Sequence, residues 1–448
     1  MDLAAYPRPP EDTGIGFHYY PDMDHYGQAD LARWLPELKA LGASWLVMLS
    51  PLETGIPSSF LRGLVEAHIE PVVRVYTPTV RPISQEVLRR LLDAYQGVGV
   101  HYVHVYNEPN LPVEWDSSEW MKPALVDRFM DYLIPCLETI KAAGLMPVFT
   151  PLAPGGHYWD TAFLKTALDV IVLRGKQHLF ENMAVCIHNY TFNKPLDWGA
   201  GGAARWPNVR PYHTPEGSQD QMGFHLFEWY DEIIRARVGR SLPLISGECG
   251  ARVGDRDHPG FPPVDEGLHA SRNVEISRQL MAGELPDYLF NNAFWLLANG
   301  ERNPFEDHAW YKRDGRRLPA VEAMKAMPKQ PRKFGQEPPR QDRSDGKPLY
   351  HYVLFPVFSW GISRHYFEVA FEYLRAFRPA CGFDPAEAAL AQNVTVIGSS
   401  RGVSEATVAE LKGKGCRVER VAGADAAETK ELLDRMAERK QRFLNESS

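Results

Sequence analysis

EPVVRVYTPTVRPISQEVLRRLLDAYQGVGVHYVHVYNEPN (70–110) is the stretch on which the fold turns. It opens on EPVVRVYTP (70–78) and closes on HYVHVYNEPN (101–110), two short β-branched and aromatic runs of strand length. Between them, QEVLRRLLDAYQGVG (85–99) spaces its apolar residues by three and four and ends in glycine, the pattern of an amphipathic helix with its C-cap. Strand, helix, strand is a right-handed βαβ unit, and such units build parallel sheets.

The same alternation runs outward in both directions. Strand-like runs precede it at GIGFHYYP (14–21) and SWLVMLS (44–50), and follow it at MPVFTPLAPGG (146–156), NMAVCIHNYTFN (182–193), LPLISGECGARVG (242–254) and NNAFWLLAN (291–299). Helical spacing recurs at 29–42, 123–144 and 224–239. Eight such strands predict a closed (β/α)8 barrel. An open doubly wound sheet would place a glycine-rich phosphate turn after the first strand, and the YPDMDHYG found there does not fit. The barrel is expected over 1–330, a polar, proline-containing linker over 331–348, and a small α/β appendage over 349–448.

Composition narrows the function. A formal net charge of −8 lacks the basic footprint of a nucleic-acid binder, so no nucleic-acid partner is expected. No apolar run approaches the roughly 20 residues of a membrane span. MDLAAYPRPPEDTG (1–14) has neither a basic start nor an apolar core, so the chain reads as cytoplasmic as written, or extracellular if a leader was removed. The five cysteines, Cys136, Cys186, Cys249, Cys381 and Cys416, make no disulfide framework, and Cys186 and Cys249 read as buried thiols. No CxxC or HExxH spacing occurs, so neither metal nor cofactor is expected. Asp255, Asp257 and His258 read as solvated loop charges rather than ligands.

Active sites of such barrels lie at the C-terminal ends of the strands. There the fourth strand ends in Asn107-Glu108-Pro109-Asn110, the sixth in His188-Asn189-Tyr190 and the seventh in Gly247-Glu248-Cys249-Gly250. The eighth carries Trp295 and the third Arg74. Two carboxylates facing one another across the mouth suit glycosidic bond cleavage: one protonates the leaving oxygen while the other attacks the anomeric carbon or activates a water.

NEP ending strand four, HxY on strand six, a lone Glu on strand seven and Trp on strand eight together resemble clan A of the glycoside hydrolases, families 5 and 39. The resemblance covers 14 to about 328. It implies Glu108 as acid/base, Glu248 as nucleophile and a retaining mechanism on a β-linked glycan. It further implies Asn107 on the sugar 2-hydroxyl, Tyr190 donating to Glu248, and Trp295 under the sugar ring with His188 beside it. Arg74 would fill the clan's arginine role, although that arginine usually lies on strand two. The negative charge of Glu248 is expected to raise the pKa of Glu108. Trp115, Trp120, Trp159, Trp198, Trp206 and Trp310 fall in loops on the same face and are read as a sugar-stacking cleft, while Trp34, Trp45 and Trp229 read as core. Long loops at 191–222 and after strand seven read as cleft walls.

Two other readings compete. One is a barrel that binds carbohydrate without cleaving it, anchored through the appendage. The other is a lyase or metal-dependent hydrolase, which would want a lysine or clustered His and Asp on the strand ends. The tail VIGSSRGVSEATVAELKGKGCRVERVAGADAAET (396–429) resembles the bacterial cell-wall-binding repeat, which implies contact with a cell surface. A packing module without a binding role is the plainer reading of that tail, and GSSRG (398–402) is a minor anion-binding candidate.

Overall fold

The structure, a computed structural model, describes residues 2–335, 347, 349–358, 361, 364–377, 379–439 and 441–444. Eight parallel strands close into a barrel: β1 (Ile15–His18), β2 (Trp45–Ser50), β3 (Glu70–Val75), β4 (Tyr102–Val105), β5 (Met146–Phe149), β6 (Ala184–Tyr190), β7 (Leu244–Gly250) and β8 (Leu289–Phe294). Neighbours in sequence pair throughout, and β1 pairs with β8 to close the ring. Helices connect the strands and cover the outside. The connector Gln85–Gln96 shows why they form: Leu88, Leu91, Leu92 and Tyr95 bury one stripe, and the Ser84 side chain caps the first turn.

The barrel interior is graded. Its lower part is apolar, with Trp45, Val72, Tyr102, Val148, Ala184, Ile245 and Phe290 in one cluster. Towards the C-terminal ends it becomes polar with buried His18, His104, His188 and Glu248 and the partly buried Arg74. The register supplies one decisive irregularity. Ile187 pairs with Ser246, but His188 pairs with Glu248, so Gly247 is an extra residue. Only glycine fits: a Cβ there would lie 2.8 Å from Cys186 Sγ and 3.2 Å from His188 Nε2. This bulge sets Glu248 opposite His188.

The chain divides at Pro338/Pro339 into two compact units. That point falls within the expected 331–348 linker, of which 336–346 and 348 lie outside the described residues. Arg332, at the start of that stretch, is buried in the first unit, where it donates to the carbonyls of Leu285, Pro286 and Leu289. The second unit is a four-stranded parallel sheet of β9 (Leu349–Leu354), β10 (Ala380–Gly382), β11 (Ala391–Ile397) and β12 (Arg417–Val421), in the order β10-β9-β11-β12. Helices Arg364–Phe377 and Ala426–Glu438 pack on one face, and Pro385–Ala388 and Glu405–Gly413 on the other. The strand read over 351–360 therefore starts two residues earlier and ends at Leu354, and its Ser359 and Trp360 lie outside the described residues. Among the described residues no helix is long and apolar enough to cross a membrane.

Candidate active site

The C-terminal ends of β3, β4, β6 and β7 bring Arg74, Asn107, Glu108, His188, Tyr190 and Glu248 together. Glu108 follows β4 by three residues on a turn in which Tyr106 (φ 65°) and Glu108 (φ 26°) both take left-handed backbone, which places the carboxyl over the mouth. His188 is the hinge of the site. Its Nδ1 lies 2.7 Å from Glu108 Oε1 and its Nε2 3.8 Å from Glu248 Oε1, so one imidazole bridges the two carboxylates. The Tyr190 hydroxyl donates to Glu248 Oε2. Arg74 Nη1 donates to Asn107 Oδ1 at 2.7 Å and lies 3.8 Å from Glu248 Oε1.

Electrostatics follow from this bridge. Burial pushes the Glu108 carboxyl up, but the hydrogen bond and charge of His188, with Arg74 and Arg252, outweigh it and leave Glu108 below its ordinary value. Burial pushes His188 down, but Glu248 and Glu108 outweigh it and hold its proton more tightly than an ordinary histidine. The expected upward shift of Glu108 is thus corrected. The imidazole lies between the carboxylates, so Glu108 meets a proton donor before it meets a second negative charge. Burial and Glu248 push the Tyr190 phenol well up, so it remains a donor.

Trp295 directly follows β8. Its ring centroid lies 4.7 Å from that of His18 and 5.3 Å from that of Phe305, and its Nε1 donates to His308 Nδ1 at 3.2 Å. Burial lowers His308 to about 4, which keeps it neutral and able to accept.

The tryptophans read as a cleft differ in burial and in what holds them. Trp310 is fully buried in the barrel core. Trp115 is 4% exposed, and its Nε1 donates to Pro109 O. Trp159 and Trp198 are each 8% exposed; the first packs beside Tyr212 and the second donates to Asp220. Trp120 and Trp206 are half-buried. Trp115 and Trp198 are tied into their loops by these hydrogen bonds, and Trp310 belongs to the core. Trp34, Trp45 and Trp229 are buried, as read. Asp255 ion-pairs with Arg252 at 2.9 Å, and among the described residues no group of His, Cys, Asp or Glu is arranged to hold a metal.

Three residues were missed. Arg252 lies with its guanidinium carbon 4.0 Å from the Tyr190 ring centroid, Glu114 accepts from Asn107 Nδ2 at 2.9 Å, and His18 underlies Trp295. Position offered a signal only for His18, which ends β1; Arg252 and Glu114 lie in the loops after β7 and β4.

No family model matches the chain, and no curated protein matches it. Three of the similar solved structures are the following. A family 39 glycoside hydrolase from Bacteroides cellulosilyticus WH2 is 10% identical over 71% of this chain, with a TM-score of 0.46. A family 128 endo-β-1,3-glucanase from Sorangium cellulosum is 14% identical over 70% of this chain and 97% of its own, with a TM-score of 0.40. Saccharomyces cerevisiae Gas2p, in complex with laminaritriose and laminaritetraose, is 12% identical over 69% of this chain, with a TM-score of 0.40. The chain spans 64% of the family 39 enzyme and 63% of Gas2p, less than two thirds of each. Similarity this distant assigns no residue of the site, whose reading rests on the distances above.

Proposed function

We propose that this protein is a retaining glycoside hydrolase acting on a β-linked glycan. One observation carries the reading. Two glutamates from opposed strand ends share a buried histidine, and one of them accepts a tyrosine hydroxyl. A metal-dependent hydrolase or lyase would need a different set of side chains at these strand ends.

The chemistry follows from the roles such neighbours permit. Glu248, oriented by Tyr190 and flanked by Arg74, attacks the anomeric carbon. Glu108 delivers the proton it shares with His188 to the leaving oxygen as the glycosidic bond breaks, and a glycosyl ester forms on Glu248. Glu108 then takes a proton from water, the water oxygen attacks the same carbon from the opposite side, and the ester bond breaks to release Glu248. Trp295 floors the subsite, and Asn107 meets the 2-hydroxyl.

A panel of aryl β-glycosides, followed by β-glucans, mannans and xylans, tests the reading. The first product seen by proton NMR should be the β-anomer. An α-anomer would mean inversion, and no turnover of any member would favour binding without cleavage.

A further inference from the structure

The reaction above leaves one carboxylate of the site without work. Glu114 closes a single 3-10 turn, Pro112–Glu114, in the loop after β4, and is partly buried beside the catalytic pair. Its Oε1 accepts from Asn107 Nδ2 at 2.9 Å, while Asn107 Oδ1 accepts from Arg74 at 2.7 Å. As a carboxylate Glu114 can only accept, and Arg74 can only donate, so the amide lies between an acceptor and a donor. A flip would set oxygen against carboxylate and NH2 against guanidinium, so one orientation is enforced. In that orientation one Nδ2 hydrogen is used by Glu114, and the other remains to donate.

The loop is built to keep Glu114 there. Trp115 Nε1 donates to Pro109 O at 2.8 Å, and Val80 N donates to Glu114 O at 2.7 Å, so the turn is fastened on both sides of the carboxylate. This gives the buried Trp115 a task that stacking on sugar does not. Its hydrogen bond ties Trp115 back to Pro109, so Glu114 lies inside a loop closed across 109–115 and Asn107 lies two residues before that loop.

We propose that Glu114 is a positioning residue that holds Asn107 as an N–H donor to the sugar 2-oxygen, resting on the glycosidase reading above. The 2-hydroxyl is then free to donate its own proton to Glu248, so Glu114 acts through Asn107 on a contact that strengthens in the transition state.

The test compares aryl β-glycosides of the preferred sugar with their 2-deoxy counterparts, in wild type, Glu114→Ala, Glu114→Gln, Asn107→Ala and the Glu114→Ala/Asn107→Ala double variant. The ratio of kcat/KM for the 2-hydroxy over the 2-deoxy substrate should fall about tenfold in Glu114→Ala, the worth of one oriented hydrogen bond. Glu114→Gln keeps an acceptor oxygen and should restore most of the ratio. It also serves as the folded comparison if the alanine variant does not fold. The double variant should fall no further than Asn107→Ala, because both act through one contact. An unchanged ratio, equal losses on both substrates, or additive losses in the double variant would overturn the proposal. Failure of the wild type on every substrate would instead overturn the glycosidase reading, and the positioning role with it.

Discussion

His188 joins the two carboxylates, and its removal gives the sharpest residue-level test. The pair Glu108–His188 holds one proton between them. Because His188 is raised, that proton leaves only above the ordinary histidine value of about 6.5. In His188→Gln, Glu108 must keep the proton alone, against an ordinary value of about 4.3 that burial raises. The alkaline limb of kcat/KM should therefore move acidward by about a unit or more in a pH profile on an aryl glycoside. A limb that stays in place would show that His188 does not hold the catalytic proton. Glu108→Ala should cost roughly 10²–10⁴-fold on substrates with poor leaving groups and far less on activated ones, with azide yielding a β-glycosyl azide. Equal losses across leaving groups would remove Glu108 from the acid/base role. Glu108, His188, Tyr190 and Glu248 were legible because strand ends carry them in contiguous motifs. Arg252 and Glu114 were not: they act from loops, and only folded geometry shows a guanidinium over Tyr190 or a carboxylate on Asn107. Sequence gives a loop its place but not the direction its indoles face, and Trp310 proves to be core.

At the scale of elements, the alternation of periods two and 3.6 located all eight strands, since hydrophobic spacing reports burial directly. It missed the bulge at Gly247, which a two-residue period cannot show, and the three-residue β10, which is shorter than any pattern. The two long loops on the catalytic face prove to be stapled together. The side chain of Asn193, wholly buried, accepts from His258 N at 2.8 Å and donates to His258 O at 2.8 Å and Phe261 O at 3.0 Å. Within the first loop, Lys194 and Asp220 pair at 3.3 Å, with Asp220 also accepting from Trp198 and Thr214. Asn193→Ala leaves partly buried backbone groups of His258 and Phe261 without this partner, at no more than about 1–3 kcal/mol each. Amide exchange across 254–264 should quicken while the barrel strands stay protected. If exchange there is unchanged, Asn193 does not hold the two walls together.

The whole molecule is two cores in one chain. The barrel clusters draw on residues up to Met327, and the clusters of the second unit draw only on residues from Leu349 onward. Each unit should therefore melt in its own calorimetric transition, and acid gives a way to tell them apart. His269 belongs to the barrel, is wholly buried, and among the described residues has no hydrogen-bond partner for either ring nitrogen. Burial, with Lys312 and His308 nearby, lowers it to about 3. The sign follows from linkage. The folded state refuses a proton that the unfolded chain accepts below about 6.5, so the contribution of His269 is whole above that pH and is lost as pH falls towards 3. At pH 5 the loss is about 2 kcal/mol. His269→Leu removes this term and no hydrogen bond. The acid-induced fall of the barrel transition between pH 7 and pH 5 should then shrink by about 2 kcal/mol. The second transition, whose own buried histidine is His351, should keep its pH dependence. A single transition would show that the units unfold as one. Equal changes in both transitions would show that the cores are coupled, and an unaltered barrel transition would show that His269 takes its proton without cost.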